Sequence, residues 1–363
     1  MEVTVALFDT FQFDQTRPRV SIAADPNRSP MSTLPAVAVP THKADSLAIT
    51  PSWRAGDWKS HGVDCPFAFR VNGRRAMTVV GWDGVGYQSG ISWHEDGTWS
   101  EPELCFPRDP ESAHRRYNAA LTGLLREHAL DGDGELIQVD GYYIGTYHAY
   151  PDPGYEQGSA IIGIVRSRDL RTWEDHGELL HPGEGGWWER GGLYKSHLIL
   201  HEGRYWLFYN AKDQAEDGWI EQTGAAVSDD LLTWHRVSDQ PLLPVGGPGE
   251  PDSRFASDPF IVRDADGTWV MFYFGLGATS PARELAATST DLITWTKSGR
   301  ILVDAGPAGS IDDWHAHKPT VIRDGNRLEH YYCAVQRLEE PVTIDGGQVH
   351  ERRGIALAWS LFP

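Results

Sequence analysis

Hydrophobic positions along the chain occur in short runs that polar turns join in pairs. In HLILHEGRYWLFYN (197–210) and PFIVRDADGTWVMFYF (259–274), an apolar run, a turn with glycine and an aromatic-rich run follow one another. Related stretches begin at residues 66, 135 and 319. Aromatic and β-branched runs separated by turn residues are typical of hairpins. The pattern therefore predicts five hairpins and an all-β chain.

A seven-residue motif, S-x-D-L-x-T-W, occurs three times. The copies start at residues 167, 228 and 289, so both intervals are 61 residues, and each copy follows a strand of small residues such as GAAVS. A degenerate copy covers 92–99, and GIALAWS (354–360) ends the chain where another should begin. Aspartate in such a turn can accept backbone N–H bonds, and the tryptophan can pack between neighbouring sheets. We interpret the motif as a structural corner.

A hairpin, a third strand and a corner into a fourth strand make an antiparallel unit of about 60 residues, and radial repetition of such units is a β-propeller. The sequence predicts one five-bladed propeller domain with four-stranded blades at approximately 61–107, 118–183, 189–245, 254–304 and 313–363. The last unit lacks a fourth strand, and an open edge invites aggregation. We expect the first 60 residues to close the ring, through VTVALF (3–8) or SLAITP (46–51).

Composition limits the classes of binding partner and the expected location of the protein. The 51 acidic and 32 basic residues give a net charge of −19, which disfavours nucleic acid and anionic membranes. The start of the chain lacks a basic segment followed by an apolar run, and apolar runs are too short to span a bilayer, so we expect a cytoplasmic protein. Three cysteines, Cys65, Cys105 and Cys333, are too few and too far apart for a disulfide framework or zinc knuckle, and we expect buried thiols.

Charged or titratable groups stand at the start of every predicted first strand. In a propeller these strand starts converge on the mouth of the central channel, which is the default pocket. The groups are Asp64, Asp133 with Glu135, Lys195 with His197, Asp258, and His315 with His317 and Lys318. The sequence therefore predicts a polar pocket at one end of the channel.

The corners, together with a first strand that reads SDPFIVRDADGTWVMFYF (257–274), resemble the five-bladed propeller glycoside hydrolases, notably family 43 and its relatives in families 32, 62, 117 and 130. The resemblance covers nearly the whole chain from about Asp64. It implies a sugar pocket with acidic residues on separate blades, and three catalytic residues: Asp64 as base or nucleophile, Glu189 as general acid, and Asp258. The second-blade aspartate of the family has no clean match here; Asp133 and Glu135 are the candidate substitutes.

Glycosidic cleavage independently requires one protonated carboxyl and one ionised carboxylate. Each acid also has a structural interpretation: Asp64 and Asp258 could be turn residues, and Glu189 could be an ordinary exposed acid. Substrate contacts are expected from Trp187, Arg190, Lys195, His197, Arg254, His315, His317 and Lys318. The His-x-His pair lacks the further ligands that zinc requires, so no metal or other cofactor is expected.

Three functions fit these observations. The first is an exo-acting glycoside hydrolase that acts on a small carbohydrate, with furanoside or xylose and galactose units as candidates. The second is a glycoside phosphorylase with a basic phosphate site. The third is a propeller that binds carbohydrate without cleaving it.

Overall fold

The computed structural model describes residues 33–214 and 218–363. Within these ranges β-strands are the main regular structure, with 54% of the residues, and the helical segments are three short 3-10 turns at Ala36–Ala38, Pro182–Glu184 and Trp187–Glu189. No helix in this part of the chain is long and apolar enough to cross a membrane. The all-β prediction is confirmed.

The first two antiparallel sheets follow a short N-terminal strand. That strand and the first sheet are β1 (His42–Lys43), β2 (Gly62–Val71), β3 (Arg74–Trp82), β4 (Tyr87–Glu95), β5 (Thr98–Trp99) and β6 (Glu103–Phe106). The second sheet comprises β7 (Ala120–Leu124), β8 (Gln138–Val139), β9 (Tyr142–Ala149), β10 (Ile161–Ser167) and β11 (Glu174–Leu180). Strands β5 and β6 both pair with β4, and the second sheet has the order β11-β10-β9-β7 with β8 beside β9.

The second half of the chain continues with consecutive antiparallel strands. These are β12 (Gly192–His201), β13 (Arg204–Lys212), β14 (Glu221–Ser228), β15 (His235–Arg236), β16 (Phe255–Arg263), β17 (Trp269–Leu276), β18 (Ala282–Ser289), β19 (Thr296–Val303), β20 (His315–Asp324), β21 (Arg327–Ile344) and β22 (Gly347–Leu361). A single parallel pair, Glu221 with Phe255, joins β14 to β16. Strands β20, β21 and β22 form the last sheet.

The N-terminal segment covers the free edge of the last sheet. Strand β1 pairs antiparallel with β22, His42 opposite Trp359 and Lys43 opposite Ala358, and Ile49 bridges Ile355. One predicted closing strand, 3–8, lies outside the described residues. The other, 46–51, contributes the Ile49 bridge, whereas the paired strand itself lies just before it.

The first strands of the sheets contact one another in cyclic order. Strand β2 contacts β7, β7 contacts β12, β12 contacts β16, β16 contacts β20, and β20 contacts β2. Phe67, Leu121, Phe260 and Val321, from four of these strands, belong to one buried apolar cluster. The strand starts therefore surround a common axis.

The S-x-D-L-x-T-W corners have the predicted structural role. In the first copy, Ser167 Oγ accepts the N–H of Leu170 at 2.8 Å. Asp169 Oδ1 accepts the N–H groups of Arg171 and Thr172, both at 2.8 Å. The same bonds recur at 228–234 and 289–295. The leucine of each corner has φ between 61° and 67°, so the side chains of serine and aspartate hold a left-handed turn.

A second repeated feature is a tyrosine hydroxyl that donates to a carboxylate, which also binds a cation. The hydroxyl bonds measure 2.8 to 3.0 Å and the ion pairs 2.5 to 2.7 Å. In four trios the acid lies outside the strand that carries the tyrosine: Tyr147–Asp175–Arg115, Tyr209–Glu189–Arg236, Tyr273–Asp252–Lys297 and Tyr332–Asp312–Lys43. In the third trio the lysine comes from β19, the outer strand of its sheet, and in the fourth Lys43 comes from β1. Strand β1 therefore takes the place of an outer strand in the last sheet.

Candidate active site

A β-bulge interrupts each of the five first strands near its start. The pairing register shifts between Asp64 and Phe67, Leu121 and Gly123, Tyr194 and Ser196, Ser257 and Phe260, and His317 and Thr320. Four bulges contain a non-glycine residue with positive φ: Cys65 (46°), Lys195 (31°), Asp258 (53°) and Lys318 (57°). Bulges redirect side chains, and strained backbone is concentrated at functional sites. The first strand of the second sheet is β7 and not the predicted stretch from residue 135. Its bulge carries Thr122, so this strand supplies no acid and the positions of Asp133 and Glu135 are not strand starts.

The strand starts border an open cavity of about 590 Å³. One wall is apolar and consists of Trp219, Phe255, Phe274, Leu276 and Ala282, which pack together as one cluster. The remaining lining is polar and includes three acids, Glu156, Glu221 and Asp258. A narrower inner pocket shares Glu156 and Asp258 and reaches Asp64. Four carboxyl groups therefore meet in one connected space.

Asp64 lies at the inner end of the pocket, where two cations balance its negative charge. Its Oδ2 accepts from Lys318 Nζ at 3.0 Å and from Arg353 at 2.8 Å, and its Oδ1 accepts the N–H of Cys65 at 2.7 Å. Burial favours a protonated carboxyl, but the charges of Lys318 and Arg353 outweigh it and hold the pKa of Asp64 well below its usual range. Asp64 is therefore ionised at neutral pH and bound to two cations.

Glu156 has the opposite character. It lies half-buried on the loop between β9 and β10, with φ 54°. Withdrawal of its carboxyl from water raises the pKa of Glu156 to about 7; Glu221 and Asp258 add to the effect, and Lys318 and Lys212 oppose it. This carboxyl can therefore carry a proton near neutral pH and release it within the cavity.

Glu221 and Asp258 share a single amide donor. Asn210 Nδ2 donates to Glu221 Oε2 at 3.2 Å and to Asp258 Oδ1 at 2.9 Å. Glu221 also accepts from Trp219 Nε1 at 2.7 Å and Ser257 Oγ at 2.9 Å, so neutral groups hold its carboxylate. Burial raises the pKa of Asp258 to about 6. Its Oδ2 is buried and has no hydrogen-bond partner within the described ranges.

Six predicted site residues line the cavity or its inner pocket: Asp64, Lys195, Asp258, His315, His317 and Lys318. His315 Nδ1 accepts the N–H of Ala282 at 3.0 Å, and His317 Nδ1 lies 3.2 Å from the oxygen of Cys333. Burial lowers the pKa of His315 to about 4 and that of His317 well below its usual range. Both imidazoles are therefore neutral near pH 7.

The structure does not bring Glu189 to this cavity. Its fully buried carboxylate accepts from Tyr209 Oη at 2.9 Å and from Arg236 Nε at 2.7 Å, in one of the four repeated trios. Placement as the general acid followed from its position just before β12. Glu189 does not face the cavity because both of its carboxylate oxygens are bound inside the sheet. The equivalent acids of three other sheets are likewise bound by a tyrosine and a cation.

Replacing Glu189 with glutamine provides a test of this structural role. The change leaves Arg236 without its buried anion, so we expect a loss of about 3 kcal/mol in the free energy of unfolding. The kcat of the folded protein should stay at the wild-type value because Glu189 does not line the cavity. Urea unfolding and steady-state kinetics on the same preparation would measure both, and a collapse of kcat at full stability would return Glu189 to the catalytic set.

The other residues predicted to bind substrate also lie outside the cavity lining. His197 is buried in the channel against Phe67 and Phe260. Arg254 Nε donates to the oxygen of Trp219 behind the apolar wall. Four others lie elsewhere in the fold: Asp133, Trp187 and Arg190 are exposed, and Glu135 binds the turn between β2 and β3.

Three charged residues of the cavity were not predicted from the sequence: Glu156, Glu221 and Arg353. Their common property is that none begins a first strand, because Glu156 lies in a loop, Glu221 begins β14 and Arg353 lies in β22. Glu156 lies in the turn-rich stretch PDPGYEQG (151–158), which also contains Asp152, so this stretch alone does not single it out. Among the described residues, no group of three or more His, Cys, Asp or Glu is arranged to hold a metal ion.

Comparison with known proteins points to carbohydrate-active propellers. Residues 130–311, half of the chain, match the family described as "Glycosyl hydrolases family 32 N-terminal domain". A 1,2-beta-oligomannan phosphorylase of Thermoanaerobacter sp. (strain X514) is 32% identical over 139 residues, 37% of this chain and 46% of that protein. A levanase of Bacillus subtilis (strain 168) is 27% identical over 182 residues, 47% of this chain and 25% of that protein. The matched segments thus span less than half of either relative.

Solved structures match over a larger share of the chain. The structure of a BT0996 RGII complex superimposes with a TM-score of 0.72 and 27% identity, covering 89% of this protein and 92% of the matched one. One described as "Glycoside hydrolase" has a TM-score of 0.71 and 25% identity, with coverage of 90% and 95%. The architecture of strands around a central axis is therefore shared over nearly the full length.

Proposed function

Because the chain belongs to the glycosyl hydrolase family 32 N-terminal domain family, we propose that it is an exo-acting glycoside hydrolase in which Glu156 donates the proton and Glu221 is the ionised partner. One observation carries the proposal: two carboxyl groups in different surroundings line the same cavity. Cleavage of a glycosidic bond needs a protonated acid for the leaving oxygen and a carboxylate that attacks the anomeric carbon or activates water.

The electrostatic environment favours Glu156 as the acid. Withdrawal from water, with the negative charge of Glu221 nearby, raises its pKa to about 7. A general acid works best when its pKa lies near the operating pH, because it is then both protonated and able to give up the proton. In many enzymes, two carboxyl groups have different surroundings, so that one is protonated and acts as the acid while the other is ionised and acts as the base.

Glu221 is a better reacting carboxylate than Asp64, the base implied by the family resemblance. Asp64 is bound to Lys318 and Arg353, and two cations on one oxygen oppose its attack on carbon or a proton. Glu221 is held by three neutral donors, which orient it without neutralising its charge. In this proposal Asp64 places the two cations beneath the substrate, and Asp258 forms part of the polar lining of the cavity.

The proposal includes a closed ring of five blades. It is supported by the cyclic contacts of the five first strands and by β1, which supplies Lys43 in the position that Lys297 has in the preceding sheet. Arg126 occupies the channel below the cavity and donates to the oxygens of Ala68 at 2.5 Å and Val321 at 2.8 Å. A channel blocked by a side chain leaves a blind pocket, which suits the removal of a terminal sugar.

The cavity suits a short oligosaccharide or simple glycoside. Sugar rings have an apolar face, and Trp219, Phe255 and Phe274 offer apolar contact to it, while the hydroxyl groups can reach Asp258 and Lys318 on the polar side. A furanoside or a xylose or galactose unit remains the proposed substrate class. Screening nitrophenyl glycosides of these sugars would identify the unit that is released.

Hydrolysis is proposed over phosphorolysis because, apart from Lys195 in the inner pocket, the cations of the cavity are already paired with Asp64. Lys318 and Arg353 are bound to Asp64, the imidazoles of His315 and His317 are neutral near pH 7, and Arg190 and Arg254 lie outside the lining. We therefore expect the same turnover with and without inorganic phosphate, and free sugar as the product. Chromatography of the products tests this, and a phosphate-dependent rate with a sugar 1-phosphate product would show a phosphorylase.

A further inference from the structure

Lys212, the last residue of β13, is a lysine with 0% of its surface exposed. Lysine is almost never fully buried unless its charge is compensated. Burial lowers the pKa of Lys212 even though Glu156 and Glu221 both act to raise it. A charge retained at this cost needs an explanation beyond packing.

The contacts of Lys212 connect the two proposed catalytic carboxyls. Its Nζ donates to the backbone oxygen of Glu156 at 3.2 Å. The same Nζ lies 4.7 Å from the centre of the Trp219 ring, and Trp219 Nε1 donates to Glu221 Oε1 at 2.7 Å. Lys212 is also directly opposite Glu221 in the β13–β14 pair. One ammonium group therefore contacts the backbone of Glu156 and the indole that holds Glu221.

We propose that Lys212 is a positioning residue that fixes Glu156 relative to Glu221 and adjusts the charge balance between them. This inference rests on the proposed function of those two carboxyls. The loop that carries Glu156 needs such an anchor because it contains two positive-φ glycines, Gly154 and Gly158, and Glu156 itself has φ 54°. On its other side the loop is held through the ring of Tyr155, which packs against Trp82 and Tyr87.

Removal of the Lys212 charge should shift the pKa of Glu156 in one direction. The charged groups that act on Glu156 are Lys318 and Lys212, which lower its pKa, and Glu221 and Asp258, which raise it. Loss of the Lys212 charge removes one lowering contribution, so the pKa of Glu156 rises. Because the acid must be protonated to act, the alkaline limb of the pH–kcat profile then moves to higher pH.

The test compares Lys212→Met, which removes the charge, with Lys212→Arg, which keeps it. We expect Lys212→Met to move the alkaline limb upward by about one pH unit and to lower kcat by about 10²-fold for an alkyl glycoside, since the acid is misplaced. The loss should be much smaller for a dinitrophenyl glycoside, whose leaving group needs no proton. Lys212→Arg should keep the alkaline limb at its wild-type pH. This variant provides a measurement even if the methionine variant folds poorly.

Lys297→Met is the matched control, because Lys297 is bound in the Tyr273–Asp252 trio and does not line the cavity. This variant should lose stability. It should leave unchanged both the alkaline limb of the pH–kcat profile and the ratio of the rates for alkyl and dinitrophenyl glycosides. If Lys212→Met behaves like this control while Glu156→Gln is inactive on the alkyl glycoside, the inference is overturned and the proposed function stands. If Glu156→Gln is as active as wild type, the proposed function fails, and the inference fails with it.

Discussion

Replacing Glu156 with glutamine is expected to lower kcat for alkyl glycosides by about 10²- to 10⁴-fold, the usual contribution of a general acid. The amide keeps the shape of the side chain but has no proton to donate to the leaving oxygen. Glycosides with dinitrophenyl leaving groups should retain most of their rate in the bond-breaking step. The alkaline limb near pH 7, where wild-type Glu156 loses its proton, should disappear from the profile of the variant.

The control for this variant is Glu189→Gln, which makes the same chemical change in a carboxylate outside the cavity. The two variants should show opposite effects: Glu156→Gln should lose kcat and keep its unfolding midpoint, and Glu189→Gln should keep kcat and lose stability. A protein that only binds carbohydrate would have no turnover in the wild type and would bind sugar almost equally in both variants. A Glu156→Gln variant that cleaves alkyl glycosides at the wild-type rate contradicts the assignment of the acid.

Much of the architecture could be predicted because the repeat is local. Each S-x-D-L-x-T-W corner satisfies its own backbone through serine and aspartate, so the same letters give the same turn in every sheet. The hairpins are equally local, with a few residues between paired strands. Closure of the last sheet by His42–Lys43 could be placed only roughly, since two paired residues leave little signal in the sequence.

Part of the site could be predicted for a different reason. Lys195, Asp258 and Lys318 occupy equivalent bulges in three first strands, and Asp64 directly precedes the equivalent bulge of β2, so the repeat places all four around one axis. Glu156 and Glu221 do not occupy equivalent positions, and only the folded cavity brings them together. Nothing in the sequence around either residue distinguishes it from other surface acids.

Glu189 is an acid that looks like a pocket residue in the sequence but lies outside the cavity in the fold. An acid just before a first strand looks like a pocket residue in the sequence, and the family resemblance assigns it the role of proton donor. Its partners Tyr209 and Arg236 come from β13 and β15, and neither is close to it in the sequence. The four trios become recognisable as one repeated feature only when the sheets are assembled.

The second large effect is expected at Glu221. Replacing it with alanine removes the carboxylate that attacks the anomeric carbon or activates water, so kcat should fall by about 10⁴-fold or more. Azide needs no general base, so it should enter the vacated space, attack the anomeric carbon and restore turnover with a glycosyl azide product, whether Glu221 is the nucleophile or activates water.

The charge of Glu221 also predicts the direction of a pH shift. Glu221 raises the pKa of Glu156, so the neutral variant Glu221→Gln should lower that pKa and move the alkaline limb of its residual activity to lower pH. This is opposite to the shift expected for Lys212→Met, although both variants lose activity. Glu284→Gln is the control, because Glu284 is equally buried but pairs with His330 outside the cavity. A Glu221→Gln variant with wild-type kcat and an unmoved limb would show that Glu221 only supports the apolar wall, because its charge would then act on neither the substrate nor Glu156.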